Sequence, residues 1–404
     1  MPREESPYIL EAMPAARLAY LADRQVHLVF DDGTEEPLVS PFVEGVHRRE
    51  ASIERKTGWK TKGTGARFMG AAALWDEAEG RRSPATFTSV ARGRQRGEIL
   101  YAITTGPVSG LFAYDVETGE EQRLVHGTDG AALAIATSDD HRVIAMARDQ
   151  KNGARNLAVM RDDGGDSALV TDGDTIDDAP AWVPVGPEVT EGRHQLVYQS
   201  TGIGRDAAGM VAGFGPTEIN ILDAEHGSLK TILSSPDYDY LAPRMTRDGT
   251  LLVMRRPYQG LPKGPDPTAY LKDGLLAPFR LAYAGFRYLD FFSMRYTGKP
   301  LANAGDTRAR NIDARKLIER QNIAAAGEEG EDAKARRAPA DWVLLRRRPN
   351  GEEIEVAKSV VAFDLDASGA VFVSDGDGVD RIGADGVTKR LSRAQRVMAI
   401  AATH

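Results

Sequence analysis

The sequence predicts an all-β protein, a single six-bladed β-propeller domain over residues 1–404 with four-stranded blades. Short runs of β-branched and aromatic residues recur along the chain, and each ends in a turn of Gly, Asp or Asn. Four such runs form a unit of ~45 residues without helical periodicity, which is typical of propeller blades. After the last unit the chain adds one more apolar run, whereas the first unit has only three.

The composition indicates a folded chain without thiol chemistry. Hydrophobic residues make up 42% of the sequence and cysteine is absent, so we expect a large core but no disulfides, thiolate metal sites or cysteine nucleophiles. The formal net charge of −8 argues against a nucleic-acid partner. Neither a secretory signal nor an apolar run of ~18 residues is visible, and we therefore expect a cytoplasmic protein.

The first three units contain short strands joined by readable turns. The first has runs at 16–23, 24–30 and 35–40, and Asp32-Gly33 between the last two is a strong hairpin signal. The second and third units follow with runs at 97–104, 110–116, 120–126, 132–138, 142–148, 156–162 and 167–172.

The last three units repeat the pattern and predict how the ring closes. Their runs are 177–184, 194–200, 217–223, 229–235, 240–249, 250–256, 341–348, 352–358, 360–369, 370–376, 379–386 and 388–394. The extra run at 396–402 is expected to pair with 16–23 and complete the first blade, because this removes the open edges of the ring. A seventh blade would have to lie within 43–84, which is poor in β-branched residues.

Part of this pattern resembles a known repeat. Residues 178–184 read Asp-Ala-Pro-Ala-Trp-Val-Pro and are followed by a strand and then by TEINILD at 217–223. This is similar to the WD40-like PD40 repeat of TolB-type propellers, with a second copy at 240–249 and a weaker one at 138–140, while the sixth unit is closer to the NHL-type variant. The resemblance implies a scaffold rather than a reaction, with Pro and Trp packed between blades.

Two insertions interrupt the repeat, at residues 43–84 and 257–340. The second contains an aromatic-rich centre at 277–296, and we predict a short amphipathic helix at 311–326 that Asn311 can cap. The polar, Gly-interrupted stretch at 324–337 is predicted to be a mobile linker.

The aromatic-rich centre is the predicted partner-binding segment, because aromatic and Arg side chains dominate interface hot spots. Its candidate residues are Phe279, Arg280, Tyr283, Phe286, Arg287, Tyr288, Phe291, Phe292, Arg295 and Tyr296. Two alternatives stay open: the rings could pack on the propeller as a lid or plug, or they could contact a membrane surface. The membrane alternative is the less expected, since no second anchor is visible.

No motif indicates a catalytic, metal-binding or cofactor-binding residue. Gly-x-Ser-x-Gly and His-Glu-x-x-His are absent, and the seven histidines are scattered. The acidic run at 375–380 fails as a calcium loop because its twelfth position is Gly386. The Gly-x-Gly at 202–204 lies in a hairpin extension and predicts no phosphate loop. A basic cluster, either solvated or facing an acidic partner or phosphate, contains Arg81, Arg82, Arg92, Arg94 and Arg96.

The leading prediction is a non-catalytic propeller scaffold that mediates protein–protein interaction in a bacterial multi-protein assembly. The 257–340 insertion would be its main docking element. The alternative is a propeller hydrolase, lactonase- or glycosidase-like, with its site in the axial channel. Carboxylates from different blades cannot be found by sequence spacing, so three or more convergent carboxylates or histidines in the channel would favour the enzyme.

Overall fold

The computed structural model describes residues 16–61, 85–259 and 338–403, with short gaps at 106–107, 129–131, 139, 141, 185–194, 206–208, 210, 224–227 and 384. Within these ranges the chain forms 25 β-strands and one α-helix. The protein is therefore all-β, as the sequence predicts, with one helix added to the sheets.

The first sheet joins the two ends of the described chain. Its strands are β1 (Ala16–Ala22), β2 (Gln25–Phe30), β3 (Glu35–Pro37) and β25 (Val397–Ala402), in the order β25-β1-β2-β3. Leu18 lies opposite Ala402 and Tyr20 opposite Ile400 in the antiparallel β1–β25 pair. The pairing expected between 396–402 and 16–23 is thus present.

A helix, α1 (Pro41–Thr61), follows β3 and was not predicted. Ser40 caps it: the Val43 N–H donates to Ser40 Oγ at 3.2 Å, and Pro41 lacks the N–H that this position leaves unpaired. The stretch from 43 onward carries charged residues on almost every turn, so it shows no apolar stripe from which a helix could be read. The helix predicted at 311–326 lies outside the described residues.

The second sheet contains a strand that the sequence analysis missed. Its strands, paired in sequence order, are β4 (Thr86–Arg92), β5 (Glu98–Thr105), β6 (Val108–Asp115) and β7 (Glu121–Gly127). The missed strand is β4, whose sequence TFTSVAR mixes hydroxyl and apolar residues. This gives the second unit four strands rather than the three that were predicted.

The third sheet has nine strands and corresponds to two predicted units. They are β8 (Ala132–Thr137), β9 (Val143–Asp149), β10 (Arg155–Arg161), β11 (Ala168–Leu169), β12 (Thr175–Trp182), β13 (Gln195–Arg205), β14 (Val211–Phe214), β15 (Glu218–Asp223) and β16 (Ser228–Leu233). A single parallel pair, Arg155 with Ile176, joins β10 to β12. On either side of it the strands pair antiparallel, and β14 adds a short hairpin to β13 that includes residues 202–204.

The last two sheets each contain four strands paired in sequence order. They are β17 (Tyr238–Met245), β18 (Leu251–Pro257), β19 (Val343–Arg347), β20 (Glu353–Lys358), β21 (Ala362–Leu365), β22 (Val371–Ser374), β23 (Val379–Ile382) and β24 (Thr388–Ser392). Arg255 of β18 pairs directly with Val343 of β19. The 257–340 insertion therefore connects β18 and β19, two neighbouring strands that pair directly with each other.

The hydrophobic core is divided among clusters that lie between successive four-strand groups. One cluster packs β1 and β2 against β4 and β5, with Tyr101 and Phe112 at its centre, and equivalent clusters follow along the chain. Another packs β21 and β22 against β1 and β25, with Tyr20 and Phe372 buried in it. The last group is thus packed against the first.

In each group, one edge strand lies nearest the centre of the cyclic arrangement, and in the first sheet that strand is β25. These inner strands contact one another in the cyclic order β25, β4, β8, β12, β17 and β21, and β21 in turn contacts β25. Two of them carry the PD40-like Ala-Pro step at a bulge, where Ala179 and Ala242 have φ of 47° and 50°. Trp182 Nε1 donates to the Ala136 carbonyl at 3.0 Å, so the tryptophan bridges β12 and β8 as the resemblance implies.

Candidate functional site

A cavity of ≈ 600 Å³ opens where the C-terminal ends of the inner strands converge. Every inner strand contributes to its wall, through Ala91, Ala136, Ala181, Met245, Leu365 and Ala401. The cavity therefore lies at the centre of the cyclic arrangement, at one end of the strands. Its volume is in the usual range for ligand-binding pockets.

The charged side chains of this cavity are all arginine and aspartate. Among the described residues that line it there is no Lys, Glu or His, and the charged ones are Arg92, Arg244, Arg247, Arg346, Arg348, Asp248, Asp364 and Asp366. These come from strands far apart in the sequence. Of these residues only Arg92 belongs to a charged feature expected from the sequence, the basic cluster, whereas Asp248 and Asp366 lie near the ends of the predicted runs 240–249 and 360–369.

Asp364 is held by two neighbouring strands. Arg244 Nε donates to Asp364 Oδ1 at 2.7 Å, and the backbone N–H of Ala402 donates to Asp364 Oδ2 at 2.9 Å. The two side chains of this ion pair are 26% and 15% exposed. Both carboxylate oxygens are thus engaged, and the contact ties β21 to β17 and to the C-terminal strand β25.

Asp248 and Asp366 hold the turns that follow two inner strands. Asp248 accepts hydrogen bonds from the hydroxyl of Thr246 and from the backbone and hydroxyl of Thr250, and the first of these is the main reason that its pKa is lowered. Asp366 accepts three hydrogen bonds of 2.6–2.9 Å from donors in residues 368–370. These two carboxylates stabilise hairpins.

Ion pairs hold some of the cavity arginines but not all of them. Arg348 pairs with Glu352 at 2.9 Å, and Arg244 pairs with Asp364 as described above. Within the part of the chain that the structure describes, Arg247 and Arg346 enter no ion pair. Arg247 is exposed and Arg346 is partly buried. The cavity therefore offers a ligand guanidinium donors, whereas its carboxylates serve the fold.

The residues predicted to bind a partner cannot be placed relative to this cavity. Phe279, Arg280, Tyr283, Phe286, Arg287, Tyr288, Phe291, Phe292, Arg295 and Tyr296 all lie outside the described residues. The insertion leaves β18 and enters β19 at the end of the sheet away from the cavity: Pro257 pairs with Tyr238 at the start of β17, whereas the end of β17 lines the cavity.

The basic cluster is divided by the structure. Arg92 lines the cavity, and Arg94 instead makes a two-pronged ion pair with the buried Glu98, with contacts of 2.9 and 2.7 Å. Arg96 is exposed, and Arg81 and Arg82 lie outside the described residues. The described members of the cluster, Arg92, Arg94 and Arg96, therefore do not form one basic patch.

The acidic run at 375–380 spans the turn between β22 and β23 and the first two residues of β23. Within it the backbone N–H of Asp377 donates to Asp375 Oδ1 at 2.9 Å, so the first carboxylate stabilises the turn. Among all described residues, no group of three or more His, Asp or Glu side chains could hold a metal ion. No described helix is long and apolar enough to cross a membrane.

The cyclic sheets and the central cavity define the class of this protein: it has an all-β, propeller-like fold. Its fold is similar to that of TolB from Acinetobacter baumannii, with a TM-score of 0.50 at 12% identity over 96% of this chain and 66% of that chain. It is equally similar to a chain in the crystal structure of a nidogen/laminin complex, with a TM-score of 0.50 at 8% identity over 96% and 97%. No protein-family model matches the chain, and no curated protein matches it. The chain spans about two thirds of the TolB chain, and at these identities the likeness shows the fold alone.

Proposed function

We propose that this chain is a six-bladed β-propeller, closed by its C-terminal strand, that acts as a non-catalytic scaffold for protein–protein interaction. The ring is supported by the cyclic contacts of the inner strands and by the cluster that packs the last group against the first. The nine-stranded sheet counts as two blades, since only one residue pair joins its halves. The fold likeness to a chain solved within a two-protein complex agrees with this proposal.

The observation that carries the binding role is the state of the three aspartates in the cavity. Three carboxylates do line the cavity, and carboxylates in the axial channel are what a catalytic site there would need. Asp364 is committed to Arg244 and to the backbone of β25, while Asp248 and Asp366 are committed to turns. A general acid or base needs a carboxyl that can exchange its proton with a substrate. We therefore favour binding over the hydrolase alternative.

The main docking element is proposed to be the 257–340 insertion. Its ten aromatic and Arg candidates are of the residue types that dominate hot spots. Because it joins two neighbouring strands of one blade, it can vary without disturbing the ring. A cytoplasmic location and a place in a bacterial multi-protein assembly stay predictions from the sequence.

The test removes the insertion and keeps the blade. Residues 262–336 are replaced by a short Gly-Ser linker, which can span the neighbouring ends of β18 and β19. Partners captured by the full chain from its native host are purified, and their Kd for both proteins is measured. We expect binding at least about tenfold weaker without the insertion, with a similar melting temperature.

A substitution series then locates the hot spot within the insertion. The test variant replaces four rings with serine: Phe286, Tyr288, Phe291 and Phe292. The matched control replaces the glutamates at 328, 329 and 331, in the polar stretch of the same insertion, with serine. Weaker binding by the test variant alone supports docking through the rings. A large drop in melting temperature with the partner still bound would mean that the rings pack on the propeller, and the docking proposal would be wrong.

A further inference from the structure

The described residues of the cavity carry a charge imbalance. Five arginines and three aspartates line it, although the chain as a whole has a formal net charge of −8. All three aspartates already accept hydrogen bonds from within the described structure. What the cavity still offers to a ligand is therefore mainly N–H donors.

Two of these arginines line the cavity from neighbouring parts of one blade. Arg247 lies in the turn between β17 and β18, and Arg346 lies on β19 opposite Leu252, the second residue of β18. In the described part of the chain neither guanidinium enters an ion pair, whereas Arg348 has Glu352 beside it. A guanidinium presents a planar fork of donors that matches a carboxylate or a phosphate. The pair is thus available to an anionic group.

The rest of the wall favours a ligand that is also apolar. Pro184, Met245 and Leu365 are partly exposed residues of the wall, so a ligand in the cavity meets hydrocarbon as well as charge. A peptide with acidic and apolar side chains satisfies both surfaces. A nucleic acid is less suited, because the net charge of −8 opposes the approach of a long polyanion.

We propose that this cavity is a second binding site, which takes an acidic segment of a protein partner and holds its carboxylates on Arg247 and Arg346. The insertion leaves the blade at Pro257, which pairs with Tyr238 at the opposite end of β17. The proposal for the cavity uses no residue of that insertion. It stands or falls independently of that element.

The probe for this site is a fluorescent decapeptide of alternating Glu and Leu, and its binding is followed by fluorescence anisotropy. Wild-type protein should bind it, and affinity should fall as salt is raised. The double variant Arg247→Glu with Arg346→Glu should bind at least about tenfold more weakly. The matched control is Arg123→Glu with Lys389→Glu, which makes the same charge change at two exposed residues of the outer strands β7 and β24. It should bind like wild type.

A milder double variant, the linker variant and a phosphate competition separate the possible outcomes. The milder pair Arg247→Gln with Arg346→Gln keeps the side chains polar and guards against misfolding, and its melting temperature is measured alongside its affinity. The linker variant lacking residues 262–336 should bind the decapeptide as wild type does, even if it has lost its partner. No binding by wild type, or equal weakening in the control variant, would overturn the proposal. Displacement of the peptide by millimolar inorganic phosphate would indicate a phosphate site instead.

Discussion

At the scale of single residues, Glu121 joins three donors from two parts of the chain. Its carboxylate accepts hydrogen bonds from the hydroxyls of Tyr101 and Ser40, and the backbone N–H of Phe42 donates to it at 3.0 Å. Ser40 and Phe42 belong to the start of α1, so this one acidic side chain fixes the helix to the edge of the second sheet. The position also suits its charge, since a helix N-terminus favours an anion.

A related contact recurs at the junction between the last group and the first. The hydroxyl of Tyr20 donates to Glu35 Oε1, and Ser392 Oγ donates to the Tyr20 hydroxyl at 3.4 Å. In both places a buried Tyr on a second strand meets a Glu from its own sheet and a Ser contributed by the preceding group. The junction between the last group and the first is therefore held by the same kind of Tyr, Glu and Ser contact as the junction between the first and second groups.

The first prediction concerns Tyr101, whose pKa is raised chiefly by burial and further by the hydrogen bond to Glu121. The folded state thus holds the phenol proton more tightly than the unfolded chain, whose phenol has a pKa of 10.0. The stabilisation is complete below pH 10 and is lost as the pH rises above it. Tyr101→Phe should lower the free energy of unfolding at pH 7 by about 1–3 kcal/mol and make its alkaline decline shallower.

Urea unfolding at pH 7, 9 and 11 checks this expectation. Tyr238→Phe is the control, because Tyr238 is 37% exposed and its hydroxyl is not buried as that of Tyr101 is. An alkaline decline as steep in Tyr101→Phe as in the wild type would contradict the argument.

At the scale of elements, β25 is the strand that joins the first group to the last. It is the inner strand of the first sheet, with Ile400 and Ala401 buried, and its Ala402 N–H is held by Asp364 of the neighbouring group. Without it, the edge of β1 would lose all of its partners on that side. An unpaired strand edge is also a template for aggregation.

The second prediction therefore removes this element. Deleting residues 395–404 should abolish the cooperative thermal transition and increase binding of an apolar dye. Asp364→Asn gives a graded comparison, because it keeps β25 but weakens its anchor, and it should cost about 1–3 kcal/mol. A truncated protein that melts like the full chain would contradict the proposed closure.

At the scale of the whole molecule, each four-strand group is packed against the next by its own hydrophobic cluster. The order of the clusters is cyclic, so no described boundary between groups lacks a shared core. Breaking one cluster should weaken the entire ring, since its neighbours then lose a supporting face. The proposed single domain over residues 1–404 requires such coupling.

The third prediction tests that coupling with two substitutions in different groups. Ile99 on β5 and Leu344 on β19 are both fully buried at 0% exposure. Ile99→Ala and Leu344→Ala should each lower the free energy of unfolding by about 2–5 kcal/mol. Both should shift the same single transition in calorimetry. A second transition, moved by only one of them, would divide the chain into independent domains.

The sequence alone determined most of the strands, the turns and the class of fold, because these depend on local signals. Runs such as 370–376 and turns such as Asp32-Gly33 carry their own β propensity and turn chemistry. The extra run at 396–402 could be assigned to the first sheet because that sheet was one strand short. Local signals were weaker for β4 and α1, where hydroxyl and charged residues hide the periodicity, and both were missed.

Only the tertiary structure decided where the charged residues meet. Arg244 and Asp364 are 120 positions apart, and each lies in a segment whose sequence reads as an ordinary strand. Their meeting depends on the order of the groups around the centre and on which end of each strand faces the cavity. Spacing along the chain does not encode that geometry, because the inner strands come together only when every sheet is packed against the next. The cavity, its engaged aspartates and its available arginines are therefore properties of the ring rather than of any segment.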